Sequence, residues 1–167
     1  EFEIPVELTL ALKELAFNTK ATLFMLLLAI YNILLSKISG QEDIIVGIPT
    51  AGRRQARVER LIGMFVNTLV LRNFTNSNKS FEEFLSGVRE QTLKAFDNQD
   101  YQYDELVEKV TLARVTGRNP LFDVMFVLQN MERQPIEIAG LKITQDLGER
   151  RTSKFDITLY CEEEDNL

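Results

Sequence analysis

The feature that most constrains this chain is the run from Leu23 to Leu35, apolar throughout except for Asn32. It is shorter than the roughly 20 residues that cross a bilayer, so it reads as a buried helix and not as a membrane span. Apolar side chains lie nearly all round it, and such a helix must sit at the centre of a fold, wrapped by other elements. Thr19 or Thr22 can cap it. Lys37 in its last turn and Gly40 just beyond supply stop chemistry, which sets the helix at about residues 22–38. The 167 residues, 45% apolar and 26% charged, are enough for one domain with a sizeable core around that helix.

The flanking segments read as an α/β unit. Leu8, Leu12 and Leu15 recur at helical spacing within Val6 to Phe17. Ile44 to Ile48, bounded by Asp43 and Pro49, is a short apolar run expected to be a strand covered on both faces. Residues 50–61 are polar and arginine-rich, a loop. Met64 to Arg72 reads as a strand with Phe65, Asn67, Leu69 and Leu71 on one side and Met64, Val66, Thr68 and Val70 on the other. Ser80 and Glu83 form a capping-box pair opening a helix whose inner stripe is Phe84, Leu85, Val88, Thr92, Ala95 and Phe96. Tyr103 to Val110 is a further short helix, and Leu121 to Gln129 a strand. Ile136–Ile138 and Leu141–Ile143 flank a hairpin turn at Ala139-Gly140. Phe155, Ile157, Leu159 and Cys161 alternate with polar residues in a final half-buried strand. With no repeat or linker, the expectation is one α/β unit on a mixed sheet packed with helices.

Composition removes several classes of chemistry. The chain has no histidine, so Ser-His-Asp and Cys-His machinery is excluded, as is the commonest metal ligand. One cysteine, Cys161, rules out an internal disulfide framework and a cysteine-based zinc cluster. A net charge of -6, from 19 basic and 25 acidic residues, lacks the basic footprint of a nucleic-acid binder. The opening Glu1-Phe2-Glu3-Ile4-Pro5 has no basic region of the signal-peptide kind. No nucleic-acid, membrane or metal role is expected.

Four local patterns carry possible chemistry. Gly47-Ile48-Pro49-Thr50-Ala51-Gly52-Arg53-Arg54 spaces its glycines like a phosphate-binding loop. However, Arg53 and Arg54 stand where lysine and the metal-binding hydroxyl belong, and Pro49 removes a cradling N–H. Arg53, Arg54, Arg57 and Arg60 form a basic cluster, which is either a solvated loop paired with acids such as Glu59 or a contact for an acidic partner or phosphate. Glu162 to Asp165 reads as a solvated acidic tail. Asn67 is a polar amide among apolar neighbours. It must find partners or cost roughly 1–3 kcal/mol, so it either ties the strand to a loop or reaches a substrate.

Several segments, in order, resemble the later motifs of the condensation domains of nonribosomal peptide synthetases. Thr22 to Gly40 is similar to the long helix before that family's central strand. Val46-Gly47-Ile48-Pro49-Thr50-Ala51-Gly52-Arg53 follows the pattern Val-Gly-x-Pro-x-Ala-x-Arg. Ile62 to Arg72, Gly117 to Phe126 and Lys154 to Leu159 resemble further motifs. Asn98-Gln99-Asp100-Tyr101-Gln102-Tyr103-Asp104 resembles one that commonly begins with histidine and has proline where Gln102 stands. The family's His-His-x-x-x-Asp-Gly motif belongs to the preceding lobe and is absent here.

The resemblance covers essentially the whole chain, 1–167, and implies the C-terminal lobe of a condensation domain, a fragment of a larger multidomain synthetase. The implied fold is acyltransferase-like, shared with chloramphenicol acetyltransferase and carnitine acyltransferases. In it two lobes form a V, and two carrier-protein phosphopantetheine arms enter a tunnel between them. The acceptor amine attacks the donor thioester to form an amide. The second histidine of the missing motif aids that attack, so this lobe by itself is not expected to be an enzyme and binds no cofactor directly. Asn67, Thr50 and Arg53 are the candidate tunnel-facing residues. The implied partners are the N-terminal lobe and aminoacyl or peptidyl carrier proteins, in the cytoplasm, with a homodimer possible for the isolated chain. The alternatives are an epimerisation-domain lobe, a stand-alone acyltransferase, and a non-catalytic carrier-protein docking module. The Arg118-Asn119-Pro120-Leu121-Phe122 match favours condensation over epimerisation.

Overall fold

The computed structural model describes residues 2–53, 56–59, 61–110, 117–129, 141 and 152–163. The elements, in chain order, are α1 (Val6–Asn18), α2 (Leu23–Ser39), β1 (Asp43–Thr50), α3 (Ala56–Glu59), β2 (Asn67–Phe74), α4 (Phe81–Asp97), α5 (Tyr103–Val110), β3 (Val124–Gln129) and β4 (Ile157–Glu162). Thr22 caps α2 by accepting from the Met25 N–H at 3.2 Å, and Gly40 closes it in the left-handed conformation. Thr19 turns back instead, donating to the carbonyls of Leu15 and Ala16 at the end of α1. Ser80 and Glu83 form the reciprocal capping box at the start of α4.

The four described strands form a mixed sheet in the order β2-β1-β3-β4. β1 pairs antiparallel with β2 and parallel with β3, and β3 runs parallel to β4. Helices α2 and α4 pack together on one face of this sheet. There Leu26, Leu28, Ala29, Leu85 and Val88 meet Ile44, Val46, Ile48, Leu69, Leu71 and Phe126 in one cluster. Phe126, fully buried, lies 5.3 Å from the Phe24 ring and 5.9 Å from Tyr31. Burying a side chain of this size stabilises by about 1.5–3 kcal/mol, so this layer is the main source of cohesion. Burial also pushes the Tyr31 hydroxyl up to about 12.

The central helix is buried as its composition demands, but on one side only. Met25, Leu26, Leu28, Ala29, Tyr31, Asn32 and Leu35 face inward, whereas Ile30, Leu34 and Ile38 are exposed. Asn32 is accommodated by donating to the Leu28 carbonyl at 2.7 Å, and its oxygen faces the buried Asn73 amide at 3.5 Å. In α1 the inward residues are Leu12, Leu15 and Ala16, while Leu8 points to solvent.

Three strand boundaries differ from the sequence reading, one where a partner strand ends and two where an aromatic residue packs before the strand begins. β2 starts at Asn67 and not Met64, since β1 stops at Thr50, which pairs with Asn67. Its alternation is as read: Asn67, Leu69, Leu71 and Asn73 are buried and the residues between them are not. β3 starts at Val124, because Phe122 folds over the sheet. β4 starts at Ile157, because Phe155 stacks on Phe122 at 5.2 Å. The loop after β1 also contains the short helix α3. The hairpin expected at 136–143 lies, apart from Leu141, outside the described residues.

Candidate functional site

The segments that carry the sequence motifs meet at one end of β1 and β2. Thr50 and Asn67 are register partners, both buried, and the chain between them makes a long excursion out of the sheet. Thr50 donates its hydroxyl to Gln99 Oε1 at 2.9 Å. Asn67 Nδ2 donates to the carbonyls of Gln99 and Tyr101 at 2.9 and 2.8 Å. Its Oδ1 accepts from the Thr68 N–H at 2.9 Å and from the Tyr103 N–H at 3.1 Å, capping the first turn of α5 from a distant strand. An amide offers two donors and two acceptor sites, so Asn67 spends its full capacity on its own chain. Of the two readings open for Asn67 in the sequence, this geometry is that of a tie between strand and loop.

Arg53 points into the excursion. Its Nη1 donates to the carbonyls of Val58 and Leu61 at 2.5 and 2.9 Å, and its Nη2 to that of Gly63 at 3.2 Å. The guanidinium carbon also lies 4.4 Å from the centre of the Phe65 ring. Gly52, at φ +65°, passes so close to the Phe65 carbonyl that a side chain there would collide with it. The two glycines of the phosphate-loop-like pattern thus serve packing: Gly52 lies against Phe65, and Gly47 lies under the Phe122 ring, which a Cβ would overlap. Of the basic cluster only Arg53 and Arg57 are among the described residues; Arg54 and Arg60 lie outside them.

The last motifs close the same end. Phe122 also meets Tyr103 edge-on at 5.7 Å. Burial pushes the Tyr103 phenol above its ordinary value. Asn119 donates to the Lys154 carbonyl at 3.1 Å, and the Asp156 N–H donates to the Asp123 carbonyl at 2.9 Å, so 117–123 and 154–156 are clasped. Asn98 caps the end of α4 by donating to the Lys94 carbonyl. Glu163, read as part of a solvated tail, forms an ion pair with Lys13 of α1 at 2.6 Å, while Glu164 and Asp165 lie outside the described residues.

The amides and the guanidinium gathered here hold backbone, and the Thr50 hydroxyl holds the Gln99 side chain. None is a titratable group suited to general-base work near neutral pH, and no cluster of three metal-ligating side chains occurs among the described residues. Sequence reasoning singled out Thr50, Arg53 and Asn67 but missed Gln99, which Thr50 and Asn67 hold, and Phe122, which packs on Gly47. The signal for both lay in the motifs that contain them. No single described helix is long and apolar enough to cross a membrane.

A mixed sheet with two helices on one face and a strand-end junction of hydrogen-bonded loops makes this an α/β protein whose motif segments meet at one end of the sheet. The condensation-domain family matches residues 1–167, and the chain belongs to it. The chain is 54% identical over 153 residues to tyrocidine synthase 3 of Brevibacillus parabrevis, covering 92% of this chain and 2% of that synthase. Its fold superimposes on a holo four-domain nonribosomal peptide synthetase bound to AMP and glycine. There the TM-score is 0.86 and the identity 24%, covering 98% of this chain and 14% of that one. It also superimposes on the first condensation domain of the CDA synthetase. In that case the TM-score is 0.69 and the identity 22%, covering 83% of this chain and 31% of that one. The fold is therefore of the chloramphenicol acetyltransferase type, as the resemblance implied. The chain spans under a third of each of these proteins.

Proposed function

We propose that this chain is the C-terminal lobe of a condensation domain in a nonribosomal peptide synthetase, and that it forms one wall of the site where two carrier-bound thioesters meet. The acceptor amine nitrogen attacks the donor thioester carbonyl. The new C–N bond forms, the C–S bond breaks, and the donor phosphopantetheine leaves as the thiol with the proton given up by the amine. A wall that aligns both arms contributes through proximity, which in favourable systems supplies roughly 7–11 kcal/mol of a barrier. The proton is handled by the histidine motif of the N-terminal lobe. The partners on this reading are that lobe and the donor and acceptor carrier proteins, acting in the cytoplasm on the way to an antibiotic or siderophore peptide.

The observation that carries this reading is the family match along 1–167 together with the convergence of its motifs on the Thr50–Asn67 junction. Within the lobe, Asn67 and Arg53 act from behind the wall by fixing backbone and Thr50 by holding the Gln99 side chain, leaving contact with substrate to the surfaces they hold. The test supplies the complete condensation domain, and separately this chain alone, with donor- and acceptor-loaded carrier proteins and looks for a dipeptidyl product. The complete domain is expected to form it and the isolated chain to give none. Turnover by the isolated chain, or an inverted aminoacyl centre in place of an amide, would overturn the reading.

A further inference from the structure

The excursion between Thr50 and Asn67 is anchored in an unusual way. Its ends are closed by strand pairing, and both end residues are tied to the 99–103 segment. In between, Arg53 fastens it: its guanidinium reaches three carbonyls, those of Val58, Leu61 and Gly63, and stacks on Phe65. The residues between those anchor points project outward, with Ile62 105% and Met64 94% exposed. Among the described residues of this loop Leu61, Ile62, Met64 and Val66 are exposed and do not pack into a core, so the donor bonds and the stack are what hold its shape there. A planar guanidinium with five donors can serve several carbonyls and an aromatic face at once, whereas an ammonium on a flexible stem cannot.

We propose that Arg53 is a positioning residue: it fixes the 61–65 segment against Val58 in one conformation, and that conformation is required for condensation. The proposal rests on the condensation reading and adds to it the residue that sets the geometry of the loop. It also reassigns Arg53, whose positive charge in an acidic chain otherwise suggests contact with an acidic carrier protein or a phosphopantetheine phosphate.

The two roles separate through Arg53→Lys. In the complete condensation domain, Arg53→Lys, Arg53→Ala and Phe65→Leu are compared with the wild type. Thermolysin cleavage within 61–66 is followed by mass spectrometry, and kcat and KM are measured for each loaded carrier protein. The expected result is that Lys fails as Ala does. Both should be cut about tenfold faster in this segment, as local opening becomes easier. Both should lose about tenfold or more in kcat, because a displacement of the order of 1 Å in a positioning element costs that much. KM for either carrier should stay within about twofold, since uniform binding is untouched. Phe65→Leu, which keeps the carbonyl bonds, is expected to fall between the wild type and Arg53→Lys.

Three results would overturn the proposal. In the first, Arg53→Lys keeps both loop protection and turnover. In the second, a salt-dependent rise in KM is repaired by Lys, the mark of a charge contact. In the third, the loop opens without loss of kcat. A wild-type domain that forms no amide defeats the condensation reading and the catalytic part of this proposal, whereas unchanged cleavage in the variants defeats the loop-holding part alone.

Discussion

Asn67 illustrates how a polar residue becomes part of a core. Its four hydrogen bonds serve two carbonyls and two N–H groups drawn from β2, the 98–102 turn and α5. Asn67→Ala would leave the carbonyls of Gln99 and Tyr101 and the Tyr103 N–H without those partners in a partly buried place. A loss of about 2–4 kcal/mol is expected from urea unfolding, with an unchanged rate per folded complete domain. A normal midpoint with a collapsed rate would instead mean contact with substrate. Gly47 makes the complementary case, because the Phe122 ring occupies the space a side chain would need. Gly47→Ala is expected to cost about 1–3 kcal/mol through overpacking. The double variant with Phe122→Ala should be less unstable than the sum of the two single losses, by the coupling that neighbouring sites show. Additive losses in that cycle would place the strain elsewhere.

Among the elements, α4 has the clearest local design. Its capping box places Glu83 where the Ser80 N–H, and then the Ser80 hydroxyl, hold its carboxyl below the ordinary glutamate range. A depressed carboxylate contributes stability that is present above its unfolded value and fades as the pH falls through the folded one. The stability advantage of the native chain over Glu83→Gln should therefore be constant near neutral pH and shrink in acid, below the ordinary glutamate value. Urea midpoints across that range measure it, and a gap that widens in acid would contradict the assignment. The side chain is exposed, so the effect is a modest one. The same reasoning applies to the Asp43–Arg72 pair that joins β1 to β2, whose bidentate hydrogen bonds lower Asp43.

For the whole molecule, the notable feature is apolar surface left uncovered. Phe17, Ile38, Ile62 and Met64 are each at least two-thirds exposed, and Ile30 and Leu34 extend the outward stripe of α2. Soluble monomers rarely leave contiguous apolar patches beyond a few hundred Å² exposed. The isolated chain is therefore expected to bind a hydrophobic dye and to self-associate as its concentration rises, for instance as a symmetric dimer burying roughly 1,000 Å² or more. Light scattering over a concentration series reads this directly. A strictly monomeric, dye-silent chain would mean that these side chains are tolerated singly.

Local signals in the sequence determined the helices and the polarity of the strands. Thr22, Gly40, Ser80 and Glu83 are caps whose partners lie within four residues, so α2 and α4 were legible from neighbours alone. The alternation in β2 was legible for the same reason, since opposite faces follow from a period of two. Where β2 begins was not, because that is set by Thr50, the last residue of β1, across the sheet. The absence of histidine, which excludes Ser-His-Asp and Cys-His machinery, is legible from composition alone. Only the tertiary structure decided what Thr50, Arg53 and Asn67 do, since their partners lie as far away as Gln99, Gly63 and Tyr103. A hydrogen bond depends on distances of about 3 Å in space, and spacing along the chain carries no record of which distant carbonyl will come within that reach.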